Sequence, residues 1–128
     1  MGGIYIASKV KHGARWRTLR SRGVPICSTW IDEISPDRTV DWWRSLWMRS
    51  IREAAACSVL VCYFESGERF NGALAEVGAA LTTDAQVILA GPQEAIVQHS
   101  VFHHPMVWRV SPATNRPALP VNGKRSEG

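Results

Sequence analysis

The chain has 128 residues and a mass of 14.2 kDa, the size of a single domain with one core and no need of disulfide or metal staples. A composition that is 45% hydrophobic and 20% charged, with six Trp, excludes disorder as the main state. No apolar run reaches the length of a membrane span, and the first residues lack the apolar h-region of a signal peptide, so a cytoplasmic protein without a membrane partner is expected.

The formal charge of +4 is unevenly spread. Residues 1 to 52 hold ten basic and four acidic residues, and the remainder five basic and seven acidic. Lys9, Lys11, Arg15, Arg17, Arg20 and Arg22 form a run without an acid. Such a run suits an anionic partner, or else a solvated helix face.

In chain order, Ile4 to Ala7 reads as a strand, being short, apolar and partly β-branched. Ser8 to Gly13 reads as a loop. Ala14 to Arg22 has helical spacing and stops at Gly23. Val24 to Ser28 reads as a second strand, which Pro25 confines to an edge or a strand start. Thr29 to Val40 is a loop around Ser35-Pro36-Asp37. Asp41 to Ala56 is the clearest helix, with Asp41 as N-cap. Its stripe is Trp43, Leu46, Trp47, Ile51 and Ala54, with Arg44, Arg49 and Arg52 off it. Ser58 to Phe64 is a continuous apolar run of the kind found in a central parallel strand. A polar loop follows, then a helix over Asn71 to Leu81, a buried strand over Gln86 to Ala90, a short helix over Gln93 to Gln98, and a last strand over Met106 to Val110. Ser111 to Gly128 is rich in Pro, Asn, Gly and charge and reads as a disordered or loosely docked tail, which leaves residues 1–110 as the domain.

Strands and helices alternate, so the expected fold is α/β: a flavodoxin-like three-layer sandwich on a five-stranded parallel sheet of order 2-1-3-4-5. In such a sheet ligands bind beyond the carboxyl ends of the strands, near the switch point of strand order. That rule selects Ser8 to Arg15, Thr29 to Asp32 and Glu65 to Glu76. Ser8, Lys9 and Arg15 then stand where a phosphate would be held, assisted by a helix start. Glu76 is the sole ionisable residue of Asn71 to Leu81, and its helical neighbours Gly72, Ala73, Ala79 and Ala80 are small and uncharged. It is either a solvated surface residue or a carboxylate facing a ligand, as a nucleophile or base would. Cys27, Cys57 and Cys62 show no paired spacing, and no Cys/His grouping has zinc spacing, so neither metal nor cofactor is expected.

Three segments in order carry a resemblance: Ile4-Tyr5-Ile6-Ala7-Ser8, Cys27-Ser28-Thr29-Trp30-Ile31, and Gly72-Ala73-Leu74-Ala75-Glu76-Val77-Gly78-Ala79-Ala80-Leu81 preceded by Val59-Leu60-Val61-Cys62-Tyr63. Together they resemble the nucleoside 2-deoxyribosyltransferase family, over about residues 3 to 91. The resemblance implies a flavodoxin-like fold and cleavage of the N-glycosidic bond of a deoxynucleoside or its 5′-monophosphate. It implies Glu76 as nucleophile, Tyr5 in contact with the sugar or with Glu76, Gly72 allowing close approach of substrate, Asn71 bordering the sugar, and Trp30 stacking on the base or packing in the core. It also implies a homodimer or larger assembly, for which Trp42, Trp43 and Trp47 are either interface or core. The chain departs from the family where an acid is expected before the third strand: Arg49-Ser50-Ile51-Arg52-Glu53 has Ser50 or Arg52 there. Phe70, beside Asn71, stands where Asp or Ser is common. Loss of acid assistance costs on the order of 10²–10⁴ in rate.

Three functions follow as expectations. The first is transfer of the sugar to a second base, or to water as in the nucleotide N-hydrolase branch. The second is a nucleotide-binding module that has lost turnover. The third, nucleic-acid binding by the basic run, ranks last, because a switch-point loop suits one phosphate better than a duplex.

Overall fold

The structure is a computed structural model and describes residues 2–33, 38–69, 72–92, 99–110 and 119–120. Strand β1 is Ile4–Ala7, β2 Val59–Tyr63, β3 Gln86–Ala90 and β4 Val107–Val110. These four run parallel in the order β1-β2-β3-β4, and Leu119–Pro120 adds a short antiparallel β5 beside β4. The helices are α1 Gly13–Ser21, α2 Val40–Ala56 and α3 Ala73–Leu81. Short 3₁₀ turns occupy Val10–His12, Thr29–Asp32 and Ser100–His103.

The register pairs Tyr5 with Leu60 and Ala7 with Cys62. Alternation then puts Tyr5, Ala7, Leu60, Cys62, Val87 and Leu89 on one face, where all six are buried. Helices α2 and α3 cover that face: they pack on each other, and α3 also touches β1, β2 and β3. The opposite face is less covered, with Val61, Tyr63 and Ile88 half-buried and Trp16 of α1 meeting Tyr63 edge-on at 5.3 Å.

The five-stranded parallel sheet of order 2-1-3-4-5 is corrected at its second strand. Val24 to Ser28 is reduced to one parallel bridge, Ile4 to Ile26. Ile4 N–H donates to Pro25 O and Cys27 N–H to Ile4 O, both at 2.9 Å. Ile26 N–H turns back to Val24 O at 2.8 Å, so the segment curls instead of extending. Side chains finish this edge: Ile6 N–H donates to Ser28 Oγ at 3.1 Å, and Trp30 Nε1 donates to Ile6 O at 2.6 Å. Buried backbone groups need partners, and a hydroxyl and an indole supply them where strand pairing stops.

Two further expectations shift. The N-cap of α2 is Thr39, which accepts from Trp42 N–H at 3.1 Å, whereas Asp41 sits in the first turn near Arg44. Ser50 and Ala54 are the buried positions of α2, while Trp43 is 40% exposed. The stripe is thus rotated, and Ser50 takes the place foreseen for Ile51. Gln93 to Gln98, Asn71 and all of Ser111 to Gly128 except Leu119–Pro120 lie outside the described residues.

Candidate functional site

The carboxyl ends of β1 and β2 lie side by side, and the start of α3 follows the loop that leaves β2. These elements and the first half of α2 enclose a pocket of about 350 Å³, within the usual range for small-ligand sites. Its lining is rich in indoles: Trp30, Trp42, Trp43 and Trp47 all contribute to it.

Glu76 lines the pocket from the first full turn of α3. It is not a solvated surface residue, being 8% exposed on the same helix face as Val77 and Ala80. Its side chain reaches the sheet, where the Tyr5 hydroxyl donates a short hydrogen bond to Oε2. No salt bridge to Glu76 occurs among the described residues. Burial without a cation lifts its carboxyl from 4.5 to about 7, against a smaller downward pull from the Tyr5 hydroxyl. Burial and the neighbouring carboxylate also hold the Tyr5 phenol far above its usual range, so Tyr5 stays a proton donor. Ser50, buried on α2 at the same pocket, exerts a smaller downward pull on the Tyr5 phenol. Cys62, fully buried beside them, has its thiol pushed up by burial and then by Glu76.

The anticipated site residues separate into groups. Tyr5 and Glu76, 71 residues apart, meet. Ser8, Lys9, Trp30 and Gly72 line the same pocket. Ser8 is tied down by Trp16 Nε1 at 2.8 Å, whereas the Lys9 ammonium has no partner among the described residues. Trp30 is only 6% exposed, so it is a core residue that also forms pocket wall. At Gly72 the close neighbour is part of the protein, since a Cβ built there would stand 2.5 Å from the Trp47 ring. Gly72 therefore admits the indole of Trp47. Arg15 is not part of the pocket lining. Its Nη1 donates to the Tyr63 hydroxyl at 2.6 Å, with Glu65 at 3.7 Å.

Half of the basic run, Lys11, Arg15 and Arg20, is paired with carboxylates within the chain, while Arg17 is engaged by a neutral carbonyl. Lys11 pairs with Glu68 at 3.3 Å, Arg17 donates to Ile31 O at 2.6 Å, and Arg20 grips Asp32 with two hydrogen bonds. Of the residues around the family departure, Ser50 is buried at the pocket and Arg52 is exposed. Glu53 instead binds Thr29, accepting from its N–H at 2.9 Å and its hydroxyl at 2.7 Å.

Pocket residues outside the segments selected from the sequence include Glu33, Trp42, Trp43, Trp47 and Ser50, whereas Arg69 falls within Glu65 to Glu76. A signal existed for three of them. Trp43, Trp47 and Ser50 recur at helical spacing, and that row leads to the buried end of the pocket. Arg69, exposed at the rim, has no partner among the described residues, as with the Lys9 ammonium. One cluster has metal-ligand chemistry: His12, Glu65 and Glu68 offer ligand atoms within 4.8 Å of one another. Its polar atoms are engaged already, His12 Nε2 with Glu68 at 2.9 Å, Lys11 with Glu68, and the Tyr63 hydroxyl with Glu65 at 2.6 Å.

No family model and no curated protein matches the chain. Among solved structures it is similar to a 2-deoxyribosyltransferase from the psychrotolerant bacterium Bacillus psychrosaccharolyticus, a biocatalyst for nucleoside synthesis. Identity is 18% over 70% of this chain and 72% of that one, with a TM-score of 0.55. The chain thus shares the α/β fold of a 2-deoxyribosyltransferase, with its pocket at the carboxyl edge of the parallel sheet.

Proposed function

We propose that the protein belongs to the nucleoside 2-deoxyribosyltransferase family and acts at the N-glycosidic bond of a deoxynucleoside or its 5′-monophosphate, with Glu76 as nucleophile. The observation that carries this reading is the Tyr5–Glu76 pair: a buried carboxylate with no cation among the described residues, held by one oxygen and bordering an aromatic pocket. The Tyr5 hydrogen bond orients Oε2 and leaves Oε1 for the substrate. In the proposed first step, Oε1 attacks the anomeric carbon, the C–N bond breaks, and its electron pair leaves with the base. The sugar is held as an ester on Glu76. A second base or water then attacks the same carbon and releases the carboxylate.

A buried, uncompensated carboxylate is a stronger nucleophile than a solvated one, because fewer hydrogen bonds must be given up on attack. The indoles offer faces on which any base can stack. Lys9 and Arg69 at the rim suit a 5′-phosphate, with Arg69 taking the part foreseen for Arg15. The proposal includes cytoplasmic location and a homodimer or larger assembly. In support, no described helix is long and apolar enough to cross a membrane, and α2 exposes Val40 and Met48. Light scattering after size exclusion tests the assembly.

A second reading, a binding module without turnover, is favoured by Ser50 or Arg52 standing where the family resemblance calls for an acid. Incubation with each deoxynucleoside and 5′-monophosphate, with and without a second base, separates the readings by chromatography. Free base formed only with an acceptor indicates transfer. Free base formed in water indicates hydrolysis. Ligand-dependent thermal stabilisation without base release indicates a binding module. Turnover that survives Glu76→Ala refutes the assignment of Glu76.

A further inference from the structure

The aromatic wall explains affinity for a flat base but no choice among bases, since an indole face stacks on all of them. Choice requires a polar group in the plane of the base. Glu33 is a candidate for that role on geometry. It follows the 3₁₀ turn at Thr29–Asp32 and is fixed there by its own N–H, which donates to Trp30 O at 2.9 Å. Its side chain lines the pocket together with Trp42 and Trp43. Arg49 of α2, adjacent in sequence to Ser50, donates from Nη2 to Glu33 Oε2 at 2.7 Å. The grip is single: Arg49 Nε is buried with no acceptor, and Glu33 Oε1 has no partner among the described residues. Arg49 thereby holds a carboxylate from another segment at the pocket, beside Ser50, one of the two positions at which the family resemblance calls for an acid.

We infer that Glu33, held by Arg49, reads the edge of the nucleobase and selects bases that carry an exocyclic amino group. This rests on the nucleoside reading of the pocket. A carboxylate held by a guanidinium accepts hydrogen bonds and donates none. An amino group on cytosine or adenine satisfies Oε1, whereas a keto oxygen at the same position faces it with a second acceptor and leaves both lone pairs unpaired. Sites built to pair a polar substrate group discriminate strongly, because the mismatched ligand leaves a desolvated partner unmet.

The test uses pairs of nucleosides that differ at that group and at the adjacent ring nitrogen, an acceptor in the amino member and an N–H in the keto member: 2′-deoxycytidine against 2′-deoxyuridine, and 2′-deoxyadenosine against 2′-deoxyinosine. Dissociation constants are measured by calorimetry on the Glu76→Gln protein, so that no turnover intervenes. The amino member of each pair is expected to bind about 10- to 100-fold more tightly. Adding Glu33→Gln, whose amide both donates and accepts, is expected to bring each ratio towards one while the thermal midpoint stays within a few degrees. Adding Arg49→Met lowers the ratio as well, and Glu33→Asp retains part of it. Ratios unchanged by Glu33→Gln, or a keto preference before that change, overturn the inference and leave the nucleoside reading standing. Absence of binding by all four nucleosides overturns both.

Discussion

Replacing Glu76 by Gln tests the buried carboxylate through folding stability alone, whatever the reaction. The carboxyl rises from 4.5 to about 7 on folding, chiefly through burial. The folded chain therefore holds this proton more tightly than the unfolded chain, and between about pH 4.5 and 7 it binds more protons. Stability from this group is greatest below pH 4.5, falls through that window and is constant above it. The rise corresponds to about 3 kcal/mol. Gln keeps an oxygen to accept the Tyr5 hydroxyl and does not titrate. The groups that face Glu76, Tyr5 and Cys62, are both pushed upward and titrate above the window. Urea unfolding of both proteins from pH 4 to 8 isolates the effect, because other titrations cancel in the difference. Wild type is expected to lose about 3 kcal/mol relative to Glu76→Gln across the series. Parallel curves would refute the burial argument. A difference of opposite sign would mean that a cation pairs with Glu76.

Other outcomes follow from the same geometry. If Glu76 attacks as a carboxylate, base release rises with pH through about 7, and the limb is read from kcat/KM against pH. Tyr5→Phe leaves the Glu76 carboxylate without its donor and is expected to cost about 1–3 kcal/mol at pH 8, with a smaller loss at pH 4. Ser28→Ala removes the acceptor for the buried Ile6 N–H, and urea unfolding should show a loss of about 1–3 kcal/mol although no strand pairing is touched. Gly72→Ala drives a Cβ into the Trp47 ring, so Trp fluorescence should shift and stability fall by about 1–3 kcal/mol.

Much of the fold is legible as a one-dimensional pattern. The apolar runs at Ile4 and Ser58 and the strand at Gln86 are recognisable because strands buried on one face and half-buried on the other carry apolar residues at nearly every position. The basic run is misleading for the converse reason. Charge counts do not reveal that Glu68, Glu65 and Asp32 return from distant or folded-back segments to pair with Lys11, Arg15 and Arg20. Val24 to Ser28 has strand composition yet pairs at one residue, since Ser28 and Trp30 supply the hydrogen bonds that a longer strand would give.

Glu76 illustrates the division most clearly. Residue spacing alone puts a lone carboxylate among small residues on a helix, with no cation one turn away. Whether that carboxylate faced water or the core was decided by tertiary structure. The sheet brings Tyr5 beneath α3 and α2 closes over both, so the group is buried with one donor and no counter-charge among the described residues. Helical spacing is a local property. Desolvation, which sets the protonation of Glu76, depends on which surfaces meet, and those surfaces come from three separate parts of the chain.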